Sequence, residues 1–426
     1  MLEIGNIREH KERILAGLRK KNASDDQIDL VDKIIIEDDV RKSIQTHLDN
    51  TLSKINRLSD EIGTLFKSGR AAEANALKSE VAILKEDAKS LDIELKVIKV
   101  GLEEMTIQLP NTPHESVPAG LKPEDNEVFQ AWDKPLPELG ADALPHWELA
   151  EKYNLISFKD GVTLTGSGFP VYKGQGARLQ RALINFFLDE AVAAGYQEIQ
   201  TPLLVNKESA KATGNLPDKE GQMYYCEKDD FYLIPTAEVP LTNLYRDTIL
   251  SKNDFPIKLT GYTPCFRREA GSYGSDVKGL NRLHQFDKIE IVRLEHPDHS
   301  YDVLMEMVEH VKGLLAKLEL PYRILRLCGG DMSFNSALTF DFETWSAAQG
   351  RWLEVSSVSN FETFQSNRMK LRFRDDDGKS KLAHTLNGSA LALARIVATL
   401  LENHQVKDGI NIPKALQPYT GFEKIS

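Results

Sequence analysis

The sequence predicts a mixed α and β chain, α/β or α+β, led by a long antiparallel coiled-coil hairpin. Three observations carry this. Two heptad runs stand near the N-terminus, a Pro- and Gly-bearing stretch follows, and helical segments then alternate with short extended runs to the end of the 426 residues.

The first heptad run is Ile44, Leu48, Thr51, Ile55, Leu58, Ile62 and Leu65, a 4-3-4-3 spacing with Thr51 the one polar member. After Lys67-Ser68-Gly69-Arg70 the pattern restarts with Leu77, Val81, Leu84, Ala88, Leu91, Leu95, Ile98, Leu102 and Met105. A seam of this width fits a coiled coil better than a globular helix stripe. Ser-Gly between the runs supplies the left-handed turn that reverses a helix. The uninterrupted stretch Val40–Phe66 would reach roughly 40 Å at 1.5 Å per residue. Lys54, Arg57, Lys67, Arg70, Lys78 and Lys85 on its tip and outer faces offer charges to phosphates, although bases on solvent faces are common in any coil.

Leu109-Pro110-Asn111-Thr112-Pro113 stops the second helix, and 110–145 reads as a linker. The domains are therefore 1–109, 110–145 and 146–426. In the last, Gly176–Ala194 and Tyr301–Leu318 read as helices, and Phe231–Ile234 and Phe286–Val292 as strands.

Composition narrows the function. Hydrophobic residues at 41% and charged residues at 27% describe an ordinary soluble protein without an apolar run of membrane-spanning length. The N-terminus lacks an apolar signal core, so a cytoplasmic address is expected. A net charge of −11 argues against indiscriminate nucleic-acid binding while leaving room for a local basic surface. Cys226, Cys265 and Cys328 stand far apart, which disfavours a zinc cluster or a disulfide framework.

Three segments place charged or polar residues two apart, on one face of an extended chain. They are Thr236 and Glu238 in Pro235–Glu238, Arg267 and Glu269 in Phe266–Glu269, and Phe286, Lys288 and Glu290 in His284–Glu290. Arg267 can grip a phosphate or carboxylate with two parallel hydrogen bonds. Phe286 offers a flat surface to a heterocycle, and Glu238 and Glu290 can hold an ammonium. Ala270–Gly279 is glycine-rich and reads as the mobile loop of a hairpin. It lacks the GxxxxGK[ST] of a phosphate loop, and no GxGxxG stands between a strand and a helix. Glu354-Val355-Ser356-Ser357 combines a carboxylate with hydroxyls, which suits Mg²⁺ alongside nucleotide phosphates. Leu386-Asn387-Gly388-Ser389 leads into an apolar helix, Ala390–Glu402, with Ser389 as its expected N-cap. Arg395 is the only base in that helix, and its charge needs a phosphate or a protein carboxylate.

Together these segments resemble the class II aminoacyl-tRNA synthetases, and within them the bacterial-type seryl-tRNA synthetase family. FRREAGSYGSDVKGLNRLHQFDKIEIV (266–292) looks like the second class II motif, and HTLNGSALALARIVATLLEN (384–403) like the third. GYQEIQTPLLV (195–205) is similar to the first, and PTAEVPLTN (235–243) to the family's Thr-x-Glu serine loop. PNTPHESVP (110–118) and IPKALQPYTGF (412–422) are family-like as well.

The resemblance implies an α+β fold: a coiled-coil arm plus a catalytic domain of antiparallel sheet flanked by helices. It implies a serine–tRNA ligase that forms seryl-adenylate from serine and ATP with Mg²⁺, then loads tRNA(Ser) through the arm, with tRNA(Sec) a second candidate acceptor. It also implies a homodimer joined through the first motif. Arg267, Glu269 and Arg395 would be catalytic. Arg267, Glu269, Arg282, Phe286, Glu354, Ser357 and Arg395 would bind ATP, with Glu354 and Ser357 holding Mg²⁺. Thr236, Glu238, Arg267, Glu290, Asn387 and Ser389 would bind serine. Two positions depart from the pattern: Ser275–Lys278 carries one base where two arginines are frequent, and Ala394 replaces a frequent glycine. The zinc site of the family's rare archaeal branch is not evident, and no zinc is expected.

Overall fold

The computed structural model describes residues 1–140, 142–218, 221–269 and 278–426. They form two compact units, Met1–Pro110 and Asn111–Ser426. No described helix is long and apolar enough to cross a membrane.

In the first unit, α1 (Ile4–Glu9) and α2 (Lys11–Lys20) pack on the start of α3 (Asp25–Lys67), which α4 (Ala71–Thr106) retraces in the opposite direction. Ser24 starts α3 with a reciprocal cap: its hydroxyl accepts from Gln27 N, and Gln27 answers to Ser24 N. Gly69, at φ +75°, makes the reversal. The predicted seam is the buried one: Ile44, Leu48, Ile55, Leu58, Val81, Ala88 and Leu95 form one cluster, with Leu77, Leu84, Leu91 and Ile98 packed at its edge. Nearer the N-terminus, buried Asp38 gathers Arg8, Arg41 and Lys42 at 3.3, 2.8 and 3.1 Å, tying α1 to α3.

The second unit is built on an eight-stranded sheet. Its strands in chain order are β1 (Glu127–Gln130), β2 (Gln197–Glu198), β3 (Ile257–Phe266), β4 (Gln285–Glu295), β5 (Tyr322–Arg326), β6 (Leu338–Ser346), β7 (Arg351–Asn360) and β8 (His384–Ala392). Across the sheet the order is β1-β5-β6-β7-β8-β4-β3-β2, antiparallel at every step except β3 with β2. The 110–145 stretch supplies the edge strand β1, which pairs with β5.

Alternation gives this sheet two unlike faces. Ile289 and Ile291 of β4, Phe340 and Phe342 of β6, Val355 and Val358 of β7, and Leu386 and Ala390 of β8 enter the main core. There they meet the apolar sides of α6 (Gly174–Ala193), α8 (Ser300–Lys317) and α9 (Leu393–Asn403); α5 (His146–Lys152) and α7 (Glu238–Asn243) are shorter. The interleaved residues Lys288, Glu290, Asp341, Glu354, Asn387 and Ser389 include every charged or amide group that the cleft draws from these strands.

Two expected elements differ. Pro235–Glu238 is a turn running into α7, with the Thr236 hydroxyl accepting from Glu238 N at 3.2 Å. Ser389 is not an N-cap: β8 continues to Ala392 and the helix starts at Leu393. The segment 386–392 is pleated because β4 pairs with it along one side, and β7 pairs with its first residues along the other. Sheet hydrogen bonds to β4, reaching as far as Ala392, outweigh the local helix propensity of Ala-Leu-Ala.

Candidate functional site

All twelve expected site residues line one cleft of about 680 Å³ on the polar face of the sheet. Strands β4 and β8 supply its floor. Phe286, Lys288 and Glu290 project from β4 at alternate positions, and Ser389 pairs directly opposite Glu290. Arg267 and Glu269 lie just past the end of β3, which stops at Phe266; Glu269 takes a left-handed conformation at φ +47°. Arg267 N still donates to His284 O at 2.9 Å, so the chain stays registered as it leaves the strand. Its guanidinium lies over the Phe286 ring at 5.3 Å, and Nε donates to Pro235 O at 3.3 Å. Residues 270–277, including the expected mobile loop and Ser275–Val277, are outside the described residues; Lys278 lies over Trp147 at 4.5 Å.

One wall is acidic and carries a single lysine among the described residues. Lys288, buried, donates to Thr236 Oγ1 at 2.8 Å and pairs with buried Glu290, whose carboxylate also accepts from Thr236 at 3.1 Å. Glu238 accepts from Gln365 Nε2 at 2.6 Å. Burial, reinforced by the neighbouring Glu290 carboxylate, pushes the Glu238 carboxyl up to about 7. Two carboxylates with one ammonium leave a site short of one positive charge when both acids are ionised.

The opposite wall depends on a bulge. Asp341 pairs with Ser357 and Glu343 with Glu354, so β7 spends three steps where β6 spends two, and Val355 is the extra residue. A regular strand would send Glu354 and Ser357 to opposite faces. The bulge puts both on the cleft side. Arg395, at the start of α9, donates to Glu354 O at 2.7 Å and to Asn281 O at 3.0 Å, and Glu354 Oε2 is 3.8 Å away. Its charge meets no carboxylate within hydrogen-bonding distance among the described residues. Arg282 pairs with Glu269 at 3.0 Å. Burial and the nearby Glu354 carboxylate hold the Asp341 carboxyl well above the usual carboxylate range.

Three residues of this region play parts that the sequence does not assign them. Lys288 carried a signal, because it stands between Phe286 and Glu290 on their strand face. Gln365 and Asp341 carried none, since each reaches the site through contacts distant in sequence.

An antiparallel sheet with this polar face is the scaffold of a class II synthetase core. Residues 224–404 match the family model described as the tRNA synthetase class II core domain (G, H, P, S and T). Residues 1–113 match the seryl-tRNA synthetase N-terminal domain. The serine–tRNA ligase of Salinibacter ruber is 51% identical over 100% of this chain and 99% of its own. That of Akkermansia muciniphila is 44% identical over the same shares. A crystal structure of seryl-tRNA synthetase from Pyrococcus horikoshii complexed with ATP superimposes with a TM-score of 0.92 at 32% identity, covering 100% of this chain and 99% of that one. The chain belongs to the seryl-tRNA synthetase family and is an aminoacyl-tRNA ligase.

Proposed function

We propose that this cleft forms seryl-adenylate from serine and ATP, and that the coiled-coil arm delivers the tRNA that receives the serine. The observation that carries this reading is the gathering of all twelve residues, drawn from segments spread over 160 positions, around one cavity.

On the acidic wall, Thr236, Glu238, Glu290, Asn387 and Ser389 form the serine pocket. Its charge balance suits a substrate that brings one ammonium, with Lys288 offsetting the second carboxylate. A pocket built to hydrogen-bond a hydroxyl rejects alanine, because alanine leaves buried polar groups unpaired. Threonine is excluded by shape, where one methyl is worth about 1–3 kcal/mol.

Arg267 faces both substrates: its guanidinium takes the serine carboxylate and the α-phosphate, and Phe286 beneath it stacks on adenine. Glu269 and Arg282 hold the nucleotide, and Arg395 takes the γ-phosphate. The Glu354 carboxylate and the Ser357 hydroxyl suit Mg²⁺, which favours one or two protein oxygens and fills its other positions with phosphate and water. When bound, the ion would neutralise charge on the phosphates. The serine carboxylate attacks the α-phosphorus in line and pyrophosphate leaves. The terminal ribose hydroxyl of tRNA then attacks the anhydride carbonyl and AMP leaves. Neither step needs a protein nucleophile; positioning and charge stabilisation supply the rate.

For the arm, tRNA is read by shape and backbone. Lys54, Arg57, Lys67, Arg70, Lys78 and Lys85 are all exposed, although Lys54 is tied to Glu80 and Arg70 to Glu73. A homodimer through Gly195–Val205 is supported by exposed Val192 just before that segment and exposed Leu204 within it. A cytoplasmic location fits the absence of a spanning helix among the described residues.

The deciding experiment is ATP–pyrophosphate exchange with each of the twenty amino acids and Mg²⁺. Exchange with serine alone is expected. No exchange, or exchange with a different amino acid, would overturn the pocket.

A further inference from the structure

Behind the nucleotide wall lies a buried polar cluster that touches no proposed substrate. His146 opens α5, and Glu402 stands on α9 two turns beyond Arg395; both are fully buried. His146 Nδ1 and Glu402 Oε1 are 2.7 Å apart, and Glu402 also accepts from His146 N, the Ser346 hydroxyl and Gln349 Nε2. The other ring nitrogen, Nε2, accepts from Leu280 N at 2.9 Å.

A backbone N–H is always a donor, so Nε2 must be the unprotonated nitrogen and the ring proton sits on Nδ1, facing Glu402. Glu402 therefore fixes the tautomer in which the imidazole can accept from the main chain. Leu280 lies just after the glycine-rich loop of the second motif. Its neighbour Asn281 offers the carbonyl that Arg395 Nε grips at 3.0 Å, while the Asn281 side chain donates to Gln349 at 3.0 Å. Gly279 packs so closely that a Cβ there would lie 2.3 Å from His146 Nε2, and its φ of +66° is left-handed. Helix α9 thus holds the loop's exit twice, through Arg395 directly and through Glu402 by way of His146.

We propose that His146 is a positioning residue of the ligase reaction. Oriented by Glu402, it anchors the exit of the second-motif loop, which holds Asn281 under Arg395 and aims that guanidinium at the nucleotide. The inference rests on the reading of Arg395 as a triphosphate ligand. An ordinary buried His–Glu pair would support the fold without preference between substrates. An anchor on Arg395 acts on ATP and leaves serine alone.

The test uses the full chain and three variants, read by the KM values for ATP and serine in pyrophosphate exchange and by the dissociation constant of ATP with Mg²⁺. His146→Asn can still donate to Glu402 but is too short to reach Leu280. His146→Gln can offer an oxygen where Nε2 stood. Gly279→Ala disturbs the same contact from the loop side and leaves Glu402 untouched. His146→Asn and Gly279→Ala should raise the KM and dissociation constant for ATP about tenfold, the worth of one buried hydrogen bond. The KM for serine should stay within about twofold, and His146→Gln should recover most of the ATP affinity. Unchanged ATP affinity in the folded variants, equal losses for both substrates, or no rescue by His146→Gln would overturn the proposal. If His146→Asn does not fold, Gly279→Ala decides on the same criterion. A wild-type protein without serine-dependent exchange would instead sink the proposed function, and the ATP dissociation constants would still judge the anchor.

Discussion

Replacing Glu238 by glutamine should stabilise the catalytic unit at high pH while impairing it as an enzyme. Burial, and after it the Glu290 carboxylate, pushes the Glu238 carboxyl up from an ordinary 4.5 to about 7. The folded state therefore prefers the protonated form, whereas the unfolded chain ionises freely above 4.5. A group raised in this way contributes its stability below the unfolded value and loses it as pH rises through the folded one. The full cost of holding the charge above pH 7 is about 3 kcal/mol. Between pH 5.5 and 8.5 the cost grows by about 2 kcal/mol. Glutamine keeps the shape, and its amide oxygen can still accept from Gln365, but it carries no charge to desolvate. The stability of Glu238→Gln relative to wild type should then rise by that amount across the range. Urea unfolding followed by tryptophan fluorescence measures it selectively, because Trp132, Trp147, Trp345 and Trp352 all lie in the second unit. The same variant should show a tenfold to hundredfold higher KM for serine, on the order of one charge-assisted hydrogen bond. A stability difference that is flat from pH 5.5 to 8.5 would refute the burial argument.

Further outcomes follow from the other walls. Glu290→Gln should cut serine-dependent exchange at least about a hundredfold while the chain stays folded, since the amide oxygen still faces Lys288; normal exchange would remove Glu290 from the pocket. Glu290→Ala should lose activity and also destabilise the unit by about 3–5 kcal/mol, because Lys288 is left buried without its carboxylate; equal urea midpoints for the alanine and glutamine variants would contradict that. Arg395→Lys keeps the charge but cannot grip the Asn281 and Glu354 carbonyls together, so kcat/KM for ATP should fall about tenfold or more, and an unaltered value would show that the fork is not needed. Deleting residues 35–100 should leave adenylate formation nearly intact and abolish tRNA charging, with equal loss of both activities the refuting result.

The arm was legible residue by residue. A heptad seam states its own geometry, because every contact in the hairpin follows from spacing along one helix and a glycine at the reversal. The burial of Leu48, Ile55, Val81 and Leu95 follows from that spacing. The chemistry-bearing residues were also legible as types and as family motifs. Their local backbone was less so: Ser389 reads as a helix cap beside its neighbours and becomes a strand residue only when β4 pairs with it and β7 pairs with the residues just before it.

What the sequence by itself determined was the hairpin, which rests on periodicity, and the family, which rests on its motifs and through them on the residues expected to meet a nucleotide and a small amino acid. Tertiary structure alone decided which of those residues meet. The Val355 bulge turns Glu354 and Ser357 to one face. Burial beside Glu290 shifts Glu238, Lys288 offsets one of the two acids, and Glu402 reaches the second-motif loop through His146, 256 positions away. Each of these depends on register, desolvation or contact between segments far apart in the chain, quantities that no local stretch of sequence contains.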